Sequence, residues 1–258
     1  MLADYSTLRP TIAELHGAGI IAVGRYIGWD SVPGYPSIGK NLTTAEAQAL
    51  TGGGIGIFLA FEYAADAAAS GAAQGAADGV LASTQLRQLG APAGVTVYFC
   101  CDWDVPDYAR ALPDTPANAA AKLGPVAAYF HAINAARPAY TVGVYGDFYV
   151  CKRVLDAGLA SMAWQTIAWS GGQHDPRAVI YQTGQTILGG ADVDIHETTS
   201  TDFGQWPRPA QQETGMIIST PPPGNWEGVI ITLGKGTDGN IWTTSSTDGE
   251  HWTDPVKQ

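Results

Sequence analysis

The residues best placed to do chemistry are acids at the ends of apolar runs. Val95-Thr-Val-Tyr-Phe-Cys-Cys-Asp-Trp-Asp104 starts as a β-strand and finishes in Asp102 and Asp104. Alternate strand residues share a face, so this spacing sets two carboxylates side by side. Asp4, Glu62 and Asp194 close other apolar runs. Crowded acids raise one another's pKa. One can then stay protonated as a general acid while another is ionised. Glycoside hydrolysis uses that division: one carboxyl protonates the leaving oxygen and a second acts as base or nucleophile. In a variant of it, the substrate's own acetamido group attacks and the second acid orients it. A hard-cation site is the rival use of several acids, but no Asp-rich loop with ligand spacing occurs. No metal or cofactor is expected. A Ser/His/Asp site is disfavoured, since there is no Gly-x-Ser-x-Gly elbow. Among the histidines only His196, beside the acid of its strand, merits testing.

Strands are expected over Leu2–Asp4, Ile20–Ile27, Ile55–Tyr63, Val95–Asp104, Thr141–Gly146, Met162–Ala168, Ala178–Thr183 and Val193–His196. Helices are expected over Thr11–His16, Thr43–Leu50, Ser70–Leu89, Pro116–Ala136 and Phe148–Leu159. This alternation is the pattern of a (β/α)8 TIM-barrel-like domain, with short, irregular crossovers late in the chain. An open doubly wound sheet lacks its usual Gly-x-Gly-x-x-Gly turn here. Strand parity agrees with a barrel. Phe58, Ala60 and Glu62 share a face, as do Tyr98, Cys100, Asp102 and Asp104, and again Asp192, Asp194 and His196. The opposite faces are apolar and suit a helix layer.

Active sites of such barrels lie at the C-terminal strand ends. That filter selects Asp4, Arg25, Glu62, Asp102, Asp104, Tyr145, Gln165, Gln182 and Asp194. Tyr63, Trp103, Tyr145, Trp164 and Trp169 could stack on sugar faces, although a single aromatic is more often packing. A single acid is more often one half of a salt bridge, and Arg25 is the obvious partner for only one of them.

Composition bounds the rest. A chain of 258 residues with 45% hydrophobic and 14% charged residues can build one large core. A net charge of −11 offers no basic stripe for nucleic acid. No apolar run reaches the length of a membrane span. Cys100, Cys101 and Cys151 read as small buried hydrophobes, not as a disulfide or zinc framework. The barrel reading covers 1–206 and a Pro-rich linker 207–228. A small β-meander over 229–258 follows, with the repeated Asp-Gly turns of Thr237–Trp242 and Thr247–Trp252. Those turns resemble a shortened Asp-box hairpin.

The ordered set Leu2-Ala-Asp4-Tyr-Ser6, Val23-Gly-Arg25-Tyr-Ile27, Leu42-Thr-Thr-Ala-Glu46, Phe61-Glu62-Tyr63, the strand ending in Asp102-Trp-Asp104, Val142-Gly-Val-Tyr-Gly146, Ala163-Trp-Gln165, Tyr181-Gln182 and Val193-Asp194 resembles the DUF1906, or Rv2525c-like, glycoside hydrolase-like domain. These barrels are similar to glycoside hydrolase family 25, which cleaves peptidoglycan with a strand-four Asp-x-Glu. Here that Glu is Asp104, one methylene shorter, roughly 1.5 Å of reach. The resemblance implies a hydrolase of cell-wall polysaccharide. Glu62 is then the expected general acid, and Asp102 with Asp104 the base, nucleophile or acetamido-orienting pair. Asp4, Arg25, Tyr145, Trp164, Gln165, Gln182 and Asp194 are the expected substrate-binding residues. The alternative is a glycan-binding or structural protein that keeps the cleft without turnover and docks or oligomerises through its C-terminal meander. The resemblance implies action at the bacterial envelope, and no signal peptide is read before Leu2, so a virion component such as a bacteriophage tail protein is among the expected readings. The chain would reach the envelope in a bacteriophage particle or as a secreted mature form.

Overall fold

The computed structural model describes residues 1–28, 39–105, 115–136 and 138–207, and the backbone of strands 230–235, 241–246 and 256–257. The chain divides into two compact units, Met1–Arg208 and Pro209–Gln258.

The first unit is a closed barrel of eight strands in sequence order. They are β1 (Leu2–Asp4), β2 (Ala22–Ile27), β3 (Gly56–Phe61), β4 (Thr96–Cys100), β5 (Thr141–Gly146), β6 (Met162–Gln165), β7 (Ile180–Leu188) and β8 (Ala191–Thr198). Helices α1 (Ile12–Gly17), α2 (Thr44–Gly52), α3 (Ala72–Leu89), α4 (Pro116–Leu123), α5 (Pro125–Ala135) and α6 (Phe148–Asp156) fill the crossovers up to β6. Their starts are written in the sequence. Thr11 and Glu14 close a reciprocal capping box on α1, and Thr43 caps α2 by accepting from the Glu46 amide. The single helix expected over Pro116–Ala136 is two. Gly124 turns to φ 54, and Pro125 has no amide hydrogen with which to continue the ladder.

The eighth strand departs from a parallel (β/α)8 barrel. It pairs antiparallel with both β7 and β1, so β7 and β8 form a hairpin instead of a crossover. Its start, not its end, therefore lies level with the C-terminal end of β1, where Asp194 pairs with Asp4. After β8 the chain runs along the opposite end of the barrel. There Trp206 and Ile57 exchange two backbone hydrogen bonds of 2.6 and 2.7 Å, and the Tyr98 hydroxyl donates to Phe203 O at 2.6 Å. Phe203 is buried among Leu2, Phe58, Tyr98 and Trp164 and fills that end.

Strand parity produces two cores. Val23, Ile57, Leu59, Phe61, Val97, Phe99, Val142 and Val144 face the helices. Leu2, Ala22, Phe58, Ala60, Tyr98, Cys100, Trp164 and Ile180 fill the barrel. Trp164 is its centre. Its ring meets Phe58, Tyr145 and His196 edge-on at 4.8, 4.9 and 5.2 Å between centroids. Gly24 makes room for it, because a Cβ there would lie 2.7 Å from both Trp164 and Asp4. The three cysteines are free and buried. No helix among the described residues is long and apolar enough to cross a membrane.

The second unit holds a three-stranded antiparallel sheet, β9 (Ile230–Lys235), β10 (Ile241–Ser246) and β11 (Val256–Lys257), in the order β11-β10-β9. The Asp-Gly turns and most of the expected linker lie outside the described residues.

One buried carboxylate near the barrel rim makes stability depend on pH. Asp147 is fully buried and caps α6, accepting from Val150 N at 2.7 Å, while its Oδ2 has no hydrogen-bond partner among the described residues. Burial pushes its carboxyl up to about 6. Two backbone hydrogen bonds oppose this rise, and the charge of Asp104 adds to it. The unfolded chain releases this proton near 3.9, so between those values the folded state binds more protons. Stability is fully present below the lower value and lost as pH rises through about 6. Asn caps as well as Asp does. Asp147→Asn is therefore expected to raise the melting temperature at pH 7.5, by roughly 3 kcal/mol of stability at most, and to match wild type near pH 3.5. Equal melting temperatures at pH 7.5 would exclude the strained carboxylate.

Candidate active site

The C-terminal ends of β1, β3 and β4 and the start of β8 bring Asp4, Glu62, Asp102 and Asp194 to one mouth. Asp4 and Glu62 are each only 5% exposed, while Asp102 and Asp194 are half-buried. Glu62 follows β3 directly, and its amide still donates to Ile27 O at 2.9 Å. It therefore keeps the inward parity of Phe58 and Ala60.

Each acid has its own donor. Asp4 accepts from the Tyr26 hydroxyl at 2.9 Å on Oδ1 and from His196 Nε2 at 2.7 Å on Oδ2. Glu62 Oε2 lies 2.6 Å from Lys40 Nζ. Burial lifts the Glu62 carboxyl above the ordinary range; Lys40 opposes this, and the charges of Asp102 and Asp4 reinforce it. Asp102 is raised by burial and by Asp4, against Lys40 and a hydrogen bond from Tyr145. Asp194 is raised by burial and Asp4, and held back by hydrogen bonds from Gln185 and Gln182 and by His196. Gln182 in turn accepts from Thr166 Oγ1 at 2.6 Å and from the Ile167 amide at 3.3 Å, which ties the loop after β6 to the rim. Three carboxyls with raised pKa in one mouth are candidates to hold and move protons.

Four of the expected residues do not join this cluster. Asp104 is exposed. Strand β4 stops at Cys100 and the Asp102 amide turns to Ala65 O at 3.0 Å, so strand parity no longer applies at Asp104. Its charge acts on Asp147 instead. Arg25 is fully buried on the outward face of β2. Its Nε meets Glu46 Oε1 at 2.7 Å, its Nη1 donates to Tyr5 O, and its guanidinium lies over the Tyr5 ring. Gln165 faces outward from β6, donating to Gln173 O at 2.8 Å and accepting from the Asp175 amide at 2.9 Å. It fastens a loop. Trp164 points inward but lies at 1% exposure beneath the mouth, too deep to stack on a sugar. Trp169, by contrast, is 44% exposed on the loop after β6, with a strained φ of 56.

Sequence reasoning missed Lys40, Tyr26 and Thr166. Tyr26 was readable: it shares parity with Gly24, whose missing side chain marks the inward face. Lys40 sits in loop text with no periodicity to place it. Among the described residues no group of three or more His, Cys, Asp or Glu is arranged to hold a metal ion.

The closed barrel and the carboxyls at its mouth fit a glycoside hydrolase-like domain, and the family comparison shows that class. The chain belongs to the Rv2525c-like, glycoside hydrolase-like domain family, whose model matches residues 13–200. Rv2525c of Mycobacterium tuberculosis, a protein whose name provisionally makes it a peptidoglycan hydrolase, is 26% identical over 209 residues, 80% of this chain and 83% of that protein. The crystal structure of Rv2525c, described as Tat-secreted and bound to L-tartrate, resembles this chain at a TM-score of 0.68 with 24% identity. The match covers 80% of this chain and 98% of that one. A stretch of 92 residues is 33% identical to YbfG of Bacillus subtilis, 32% of this chain and 11% of that protein.

The position of Arg25 yields a test. Arg25→Met leaves the largely buried Glu46 without its buried partner, which costs on the order of 3 kcal/mol. A lowered urea midpoint is expected. An unchanged midpoint with weakened glycan binding would return Arg25 to the mouth.

Proposed function

We propose that this protein hydrolyses a glycosidic bond of cell-wall polysaccharide. The observation that carries the reading is the convergence of Asp4, Glu62, Asp102 and Asp194 on one barrel mouth, with the carboxyls of Glu62, Asp102 and Asp194 raised by burial. Family membership and the name of the Mycobacterium relative support the same substrate class. Glu62 is the general acid: it is the most enclosed of the three, on a strand end that aims it inward. Asp102, steadied by Tyr145, is the base, nucleophile or acetamido-orienting residue. Asp4 raises the proton affinity of these two, and Asp194, Gln182 and Tyr145 line the sugar site. Asp104, exposed and coupled to Asp147, stays outside the reaction.

A second reading, glycan binding without turnover, draws on the failure of Asp102 and Asp104 to converge as a strand-four pair. The two separate in one assay, release of soluble muropeptides or reducing ends from purified actinobacterial cell wall. Glu62→Gln and Asp102→Asn are each expected to lose about 10²-fold or more of the release, and Asp104→Asn to keep most of it. Wild type that sediments with cell wall yet releases nothing would establish the binding reading instead.

A further inference from the structure

One short segment is held far more tightly than a surface salt bridge requires. Arg9 Nη2 donates to Gly39 O at 2.7 Å and to Asn41 O at 3.2 Å. Arg25 Nη2 donates to Lys40 O at 3.1 Å, and the Leu42 amide donates to Tyr26 O at 2.7 Å. Both guanidiniums are anchored on one carboxylate, Glu46, at 2.8 and 2.7 Å. Glu46 is fixed in turn in the first turn of α2, its amide bound by Thr43 Oγ1. A lysine side chain carries about 2 kcal/mol of rotamer entropy. Here its backbone is tied on both sides, and the ammonium arrives 2.6 Å from Glu62 Oε2 and 4.0 Å from the centre of the Tyr26 ring. The hydroxyl of that ring holds Asp4. One cation thus touches the enclosed acid and the aromatic that orients its neighbour.

We propose that Lys40 is a positioning residue of the mouth: its ammonium fixes the direction and the charge of the Glu62 carboxylate, and the Arg9–Glu46–Arg25 lattice delivers it there. Among the described residues, Asp4 from β1 and Asp102 from the end of β4 act on Glu62 beside Lys40, and Glu62 in turn acts on Tyr26 of β2 and Cys100 of β4. All of these but Lys40 are neutral or anionic at neutral pH. Lys40 is the cation of the set, and it opposes the rise that burial imposes on Glu62 and on Asp102. Removing it makes the Glu62 carboxylate harder to ionise, so its titration must move to higher pH. Substrate would meet a Glu62 already aimed, and would take the place of the ammonium as its hydrogen-bond partner. This last step rests on the reading of Glu62 as the general acid. The control of its charge by Lys40 does not.

The test is a carbon-13 NMR titration of the Glu62 carboxyl in the full chain, which needs no turnover. The Glu62 midpoint is expected to rise by about one pH unit or more in Lys40→Met, and to return close to the wild-type value in Lys40→Arg. Arg9→Met leaves Lys40 and its bond to Arg25 in place but loosens the backbone on either side of it, and should give a smaller rise in the same direction. Lys40→Gln stands in if Lys40→Met does not fold. A Glu62 midpoint unchanged without the lysine overturns the proposal. A rise in Lys40→Met with none in Arg9→Met overturns the delivery by the lattice. If wild type releases glycan, the alkaline limb of its pH profile should move up with the Glu62 midpoint in Lys40→Met. If it releases none, the general-acid reading fails while the titration still decides the role of Lys40.

Discussion

Four carboxyls drawn into one barrel mouth impose the constraint that the rest of the first unit answers. Each would cost several kcal/mol if buried without a partner, and none is left so. Asp4 has Tyr26 and His196, Glu62 has Lys40, Asp102 has Tyr145, and Asp194 has Gln182 and Gln185. These donors come from four strands, β2, β5, β7 and β8, and one loop segment, so the mouth is held by elements distant in the chain. Beneath it Trp164 fills the interior, and the acids rest on packed aromatic rings. Desolvation from below and like charge from the side both favour the protonated forms of Glu62, Asp102 and Asp194. The donors favour the ionised form. The balance between the two gives the cluster its capacity to handle protons.

The antiparallel last strand serves the same cluster. A parallel β8 would present its C-terminal end at the mouth, with His196 nearer the rim than Asp194. Reversal puts Asp194 at the rim and His196 one layer deeper, where its imidazole reaches the second oxygen of Asp4. It also carries the chain to the far end of the barrel, where Phe203 closes the interior against Phe58 at 5.8 Å.

Much of this was legible in the sequence. The alternation of Phe58, Ala60 and Glu62 against Ile57, Leu59 and Phe61 gave the inward face of β3 correctly, because a ladder bond persists at Glu62. The same reasoning failed at Asp104, where the ladder has already ended. Arg25 and Gln165 were read from their place at strand ends, although their neighbours Gly24 and Trp164 occupy the inward parity and leave them the outward one. Trp164 has the right parity and the wrong depth. Depth is set by how eight strands stagger around the barrel, which no single strand records. Lys40 was illegible for a different reason. Its place depends on two arginines and a glutamate separated along the chain by as many as 37 residues, and nothing periodic marks a loop residue that a lattice of side chains will fix.

The hydrogen bond between Asp4 and His196 joins residues 192 apart in the chain. A contact of that span forms late, because loop closure must be met before the contact can repay it. A chain emerging from the ribosome, or a partly folded intermediate, holds Asp4 without its imidazole partner and Glu62 without a complete barrel around it. The cluster is therefore complete only when the last strand is in place. A barrel that lacks its eighth strand would keep Glu62 and Asp102 but leave Asp4 without its imidazole and the rim without Asp194.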